Sequence, residues 1–199
     1  NNLTWGSKMS AQNSAFRSLL TFTAIAFCSA SALAQQPPPA PTGPDTPGTG
    51  PYPAMKEEIA ALPKHVVYRP RDLGALGAQK LGVVAWGNGG CSDDAASTRF
   101  HLLELASHGY LVLASGRVLS GPGAPPRPAP AAAPAGATPQ GAAPGGPPRE
   151  LPPPRTTAAQ LNEAIEWALQ ENARTGSPYQ GRIDPKQVAV SGFSCGGVQ

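Results

Sequence analysis

Six residues close to position 199, Gly192-Phe193-Ser194-Cys195-Gly196-Gly197, fit the pattern G-x-S-x-G with one further glycine. A serine hydroxyl in that setting is a nucleophile for acyl transfer. The pattern alone is weak, because about 0.2 chance matches are expected in a chain of this length and composition. Its weight comes from what precedes it. Gln187-Val-Ala-Val-Ser191 is an apolar run that ends on the first glycine, which predicts a strand turning sharply to present Ser194. Glycines on both sides remove Cβ atoms that would collide in such a turn. A glycine-rich loop with an incidental serine is the plainer alternative. A dinucleotide-binding loop fits less well, since no G-x-G-x-x-G follows a strand.

Trp86-Gly87-Asn88-Gly89-Gly90-Cys91 follows another apolar run, Leu81 to Ala85. Acyl transfer passes through a tetrahedral intermediate whose negative oxygen needs preformed donors. Backbone N–H groups serve, and glycines let the chain come close. The N–H of Cys195, next after the serine, and that of Gly90 are the candidate pair. The serine also needs a base. The chain holds three histidines, His65, His101 and His108. Asp94, His101 and Ser194 run in the order acid, histidine, serine, as in subtilisin-like enzymes, but the other motifs of that group are absent. His65 opens a strand-like run and reads as structural; Asp184-Pro185 reads as a turn.

The elements that must position these residues alternate. His65 to Pro70, Leu81 to Gly87, Tyr110 to Ser115 and Gln187 to Ser191 read as strands, three of them apolar on both faces as buried parallel strands are. Ser97 to His108 and Thr157 to Asn172 read as helices. The first closes on His108-Gly109, and the second opens on a capping box of Thr157 and Gln160. Such a succession predicts an α/β fold with a doubly wound, mostly parallel sheet. Parallel strands bring both loops to the same carboxyl edge.

The rest of the chain bounds the reading. With 25 Pro, 23 Gly and 14% charged residues, the sequence leaves material for one modest core only if Pro and Gly are concentrated. They are. Residues 35–54 read as a Pro-rich linker. A Pro/Ala/Gly-rich insertion spans 117–155; between Gly121 and Arg155 it holds 13 Pro, 9 Ala and 6 Gly with one Leu and no aromatic, too little apolar surface to offset its ordering entropy. It is expected to be disordered. Ahead of these, Arg17, the apolar run Ser18 to Phe27 and Ala32-Leu33-Ala34 follow the order of a secretory signal, with residues 1–8 upstream of Met9 and cleavage expected after Ala34. An apolar run this short does not span a hydrocarbon core, which takes about 20 residues. The mature protein is therefore expected to be secreted or periplasmic. Phe27 before Cys28 argues against lipid attachment. Net charge is +3, and residues beyond 34 carry 13 basic against 12 acidic side chains, which argues against a nucleic-acid or membrane partner.

Together the loop Gly87-Asn88-Gly89-Gly90, the helix and strand from Thr98 to Ser115, and the elbow Gly192 to Gly197 resemble the α/β-hydrolase family, in particular secreted hydrolases of the dienelactone-hydrolase and esterase kind. The resemblance covers residues 56–199 without the insertion. It implies Ser194 as nucleophile, Gly90 and Cys195 as oxyanion donors, and no metal or organic cofactor. Its substrate would be a small or polymeric ester. Asn88 stands where such loops often carry His. The fold it implies brings Cys91 and Cys195, the two cysteines beyond the signal, together as a disulfide, with two buried thiols as the alternative. In that family the acid and the histidine follow the serine; five residues follow Ser194 here. The chain thus reads as the 55–199 front part of a serine hydrolase domain ending at the elbow, inactive alone. A peptidase or acyltransferase of the same fold, and a secreted inactive module, are the alternatives.

Overall fold

The computed structural model describes residues 43–126 and 153–199. The expected signal peptide, the linker up to position 42 and residues 127–152 of the insertion lie outside that range. Five strands form one sheet: β1 (Ala54–Glu58), β2 (His65–Pro70), β3 (Leu81–Gly87), β4 (Tyr110–Ser115) and β5 (Ile183–Gly192). Their order is β1-β2-β4-β3-β5. β1 with β2 and β2 with β4 are antiparallel, while β4, β3 and β5 run parallel. The sheet is therefore mixed, with an antiparallel pair at one edge.

Period-two alternation decides which side chain goes where. On β3, Val83 and Ala85 join Leu111 and Leu113 of β4 in one cluster with Leu161, Ala164, Trp167 and Ala168 of helix α2 (Ala158–Ala173). Val84 and Trp86 join Val112 and Ala114 in another with Leu102, Leu103 and Ala106 of helix α1 (Arg99–Ser107). One helix thus covers each face, an α/β-type architecture. Gln160 Oε1 accepts from the Thr157 N–H at 2.9 Å, as the capping-box reading expects. Asp184 and Pro185 fall inside β5, where pairing jumps from Leu81↔Ile183 to Val83↔Val188. Asp184 Oδ1 accepts from the Lys186 N–H there, so the turn is an irregularity within the strand rather than its prelude.

Two composition-based expectations need correcting. Residues 43–53, read as part of a spacer, form a strap along α1. The Gly50 N–H donates to Ser107 Oγ, the Tyr52 N–H to Ser107 O, and Thr49 bonds the Glu104 carboxylate. Arg99, whose side chain is fully buried, donates from Nε to Asp45 and from Nη2 to Gly43 O; Lys56 pairs with the same Asp45. Ala54, placed at the end of the linker, begins β1. The first residues of the insertion are also packed: the Ala95 N–H donates to Arg117 O, the Arg117 N–H to Asp93 O, and Val118 is buried in the α1-side cluster.

His65 is buried at the start of β2, and its Nε2–H donates to Gln160 O in the first turn of α2. The carbonyl can only accept, so Nε2 carries the proton and Nδ1, which has no partner among the described residues, does not. Burial holds the imidazole below its usual range, outweighing that bond. Above about pH 6.5 both folded and unfolded chains carry a neutral imidazole, and the full stability is present. As pH falls further, the unfolded chain takes up a proton that the folded chain refuses, so stability falls until the folded pKa is reached. The urea midpoint is expected to drop between pH 7 and 5, and to drop less in His65→Gln. Equal slopes would count against this account. Glu58, held low by its Arg117 bond, titrates below that window with the same sign.

Candidate functional site

β3 ends at Gly87, and the chain passes through Asn88 into a single 3₁₀ turn, Gly89–Cys91. Gly90 (φ 65°) and Cys91 (φ 46°) are left-handed. Only glycine adopts that backbone without penalty, so Cys91 is strained. Asn88 is fully buried, and its Nδ2 donates to Ser92 O at 3.0 Å and Ser115 O at 2.6 Å. The amide bridges the far side of the turn to the end of β4. A side chain with two N–H donors on one nitrogen suits two carbonyls, which explains how the loop packs with Asn at this position.

β5 delivers the second turn beside the first. Trp86 pairs with Ser191 and Gly87 with Gly192, and the Phe193 N–H donates to Gly87 O at 3.1 Å. Ser194 follows with φ 50° and is exposed, opening the 3₁₀ turn Ser194–Gly197. Ser194 and Cys91 are the two non-glycine residues with positive φ among the described residues. The turns meet backbone to backbone. A Cβ on Gly196 would lie 2.1 Å from Gly87 C and 2.5 Å from Asn88 N; one on Gly87 or Gly192 would lie 2.3 or 2.4 Å from Gly196 O. The Phe193 ring covers Gly89, whose Cβ would fall 2.7 Å from it.

Cys91 and Cys195 form a disulfide between the turns, with Cα atoms 5.2 Å apart. Behind the crosslink, Cys91 O accepts from the Arg155 and Thr156 N–H groups at 2.8 and 3.1 Å, tying the first turn to the start of α2. Gln199 Nε2 in turn donates to Thr156 O. Sequence reading missed Arg155, Thr156 and Gln199 as supports, and their contacts leave no local signature. The Gly90 and Cys195 N–H groups donate to no acceptor among the described residues. An oxygen atom placed against them would therefore compete with no existing bond.

The histidines lie elsewhere. His65 is engaged with α2, His108 with Glu104 at 3.0 Å, and the exposed His101 packs against Trp86 with ring centroids 5.2 Å apart. None hydrogen-bonds Ser194 among the described residues. Asp94 Oδ1 accepts from the Ala96 and Leu119 N–H groups, so Asp94 caps a turn and is not joined to His101. Among the described residues there is no cluster of three His, Cys, Asp or Glu side chains able to hold a metal, and no helix long and apolar enough to cross a membrane. No protein-family model matches the chain, and no curated protein matches it.

Proposed function

We propose that the chain carries the nucleophile and the oxyanion donors of a secreted serine hydrolase of the α/β-hydrolase type, acting on ester-like carbonyls through an acyl-enzyme. The observation that carries this reading is the pairing of an exposed, left-handed Ser194 at the carboxyl end of β5 with two backbone N–H groups, of Gly90 and Cys195, on crosslinked turns. Strand order β1-β2-β4-β3-β5, with one helix on each face and a parallel β4-β3-β5 core, supports the doubly wound version of that fold. The disulfide supports an oxidising compartment.

In this reading Ser194 Oγ attacks the carbonyl carbon as a base takes its proton. The carbonyl oxygen gains charge and accepts from the Gly90 and Cys195 N–H groups. Collapse of the intermediate expels the alcohol, protonated by the same base, and water then releases the acid from Ser194. Among the described residues His65, His101 and His108 are each engaged away from Ser194, and none is placed to act as that base. A secreted module without catalysis is the second reading, favoured by the absence of a histidine bonded to Ser194 among the described residues.

A fluorophosphonate probe on the full-length gene product separates the two. Labelling that vanishes in Ser194→Ala is the expected result, and turnover of short p-nitrophenyl esters should fall at least about 10³-fold with it. An unlabelled wild type would favour the inactive module. Cleavage of peptides in preference to esters would redirect the reading to a peptidase.

A further inference from the structure

Resting on the hydrolase reading, we propose that the Cys91–Cys195 disulfide is a reversible latch: a vicinal dithiol opens it, the two turns loosen, and acylation of Ser194 slows while the sheet stays folded. Three observations carry this. The crosslink joins the two residues flanking the proposed chemistry, one next to Gly90 and one next to Ser194. Both non-glycine left-handed residues among those described, Cys91 and Ser194, lie in or beside it. Such backbones persist where the surroundings over-determine them, so removing a covalent restraint frees them to relax. Neither cysteine belongs to the apolar clusters that hold α1 and α2 on the sheet, so those clusters keep their packing contacts when the bond opens.

Access favours the same conclusion. Cys91 is 2% exposed, but Cys195 is half-buried and adjoins the exposed Ser194. A substrate that reaches the serine comes within one residue of Cys195, and a reductant can follow it. One thiolate of the dithiol attacks Cys195 Sγ and expels Cys91 as thiolate. The second thiol then closes on the mixed disulfide, leaving two protein thiols and an oxidised reductant. Two electrons and two protons pass from the dithiol to the protein. The other ties remain: Phe193 N–H to Gly87 O, and Arg155 and Thr156 N–H to Cys91 O. The turns thus stay near each other but lose their fixed spacing, and a donor pair built for a developing charge is worth most when it is rigid.

The test uses the full-length oxidised protein before and after dithiothreitol, with alkylation and mass analysis to establish that Cys91 and Cys195 are both reduced. Hydrogen exchange at the Cys91, Ser92 and Gly196 amides is expected to quicken at least ten-fold, with β3 amides unchanged. In parallel, kcat for an ester should fall ten-fold or more with KM within two-fold, and return on reoxidation. The Cys91→Ser/Cys195→Ser variant should match the reduced protein and ignore dithiothreitol. Unchanged exchange on reduction overturns the latch, as does quickened exchange in an active enzyme that keeps its kcat. A protein inactive in both redox states, yet loosened on reduction, would retain the latch and reject the hydrolase reading instead.

Discussion

Gly196→Ala is expected to leave no soluble folded protein. A methyl group there would stand 2.1 to 2.5 Å from Gly87 C, Gly87 O and Asn88 N, all backbone atoms. A flexible side chain could swing aside, but these atoms are held in the β3–β5 ladder and in the Phe193 N–H bond to Gly87 O. Ordinary overpacking costs about 1–3 kcal/mol when neighbours can yield. Here the strands themselves would have to part, and a whole domain is stable by only about 5–15 kcal/mol. Two neighbours give the scale. Gly90→Ala meets nothing within 4 Å and loses only the left-handed penalty of about 1–2 kcal/mol. Gly197→Ala approaches Gly192 O at 3.2 Å, which a small shift relieves, so its loss should be smaller than that of Gly196→Ala. Soluble yield and urea midpoints for the three variants check the ranking; a Gly196→Ala protein with the wild-type midpoint would mean that the two turns are not in backbone contact.

Asp45→Ala is expected to be the costliest change in the strap. The Asp45 carboxylate faces two cations, Arg99 with a fully buried side chain and Lys56 with 6% exposed. Breaking a buried ion pair from one side costs about 3–5 kcal/mol, because the charge left behind has lost its compensation. Arg99 has little in reserve: Nη2 reaches Gly43 O, and Nη1 has no partner among the described residues. Asp45 itself is 30% exposed, so water can partly take its place and the loss should fall towards the lower end of that range. Thr49→Ala removes only the Oγ1 bond to the solvent-facing Glu104 carboxylate and keeps the backbone N–H bond to it, so it should cost far less than Asp45→Ala. Urea midpoints test the difference, and hydrogen exchange at the Gly50 and Tyr52 amides should quicken far more in Asp45→Ala. Equal losses in the two variants would show that Asp45 does not compensate the buried cations.

The contrast between these two regions explains what could be read from the sequence. β2, β3, β4 and both helices announce themselves through apolar runs and stripes, because burial on a sheet face or under a helix repeats with a fixed period. β1 does not. Its residues, Ala-Met-Lys-Glu-Glu, form an antiparallel edge where a single buried position suffices. The mixed character of the sheet was hidden for the same reason, since nothing in β2 states which direction its partners run. The strap was hidden by composition: Pro and Gly between 43 and 53 read as a spacer, while its anchors are single polar residues bonded to partners 54 to 57 positions away. At the candidate site the glycines were legible, because a close approach demands them. The left-handed Cys91 and the supports from Arg155, Thr156 and Gln199 were not, since each is fixed by neighbours remote in sequence.

The Cys91–Cys195 bond has a topological consequence as well. It closes a ring of chain with a sequence separation of 104, within which lie α1, β4, α2 and β5. A protease that cuts once anywhere inside the ring, including 127–152, produces two polypeptides that are still one molecule. After a cut between β4 and α2, one piece would keep β1 to β4 and the other α2 and β5, paired through β3 as before. Such a nicked species would run as one band on a denaturing gel without reductant and as two with it.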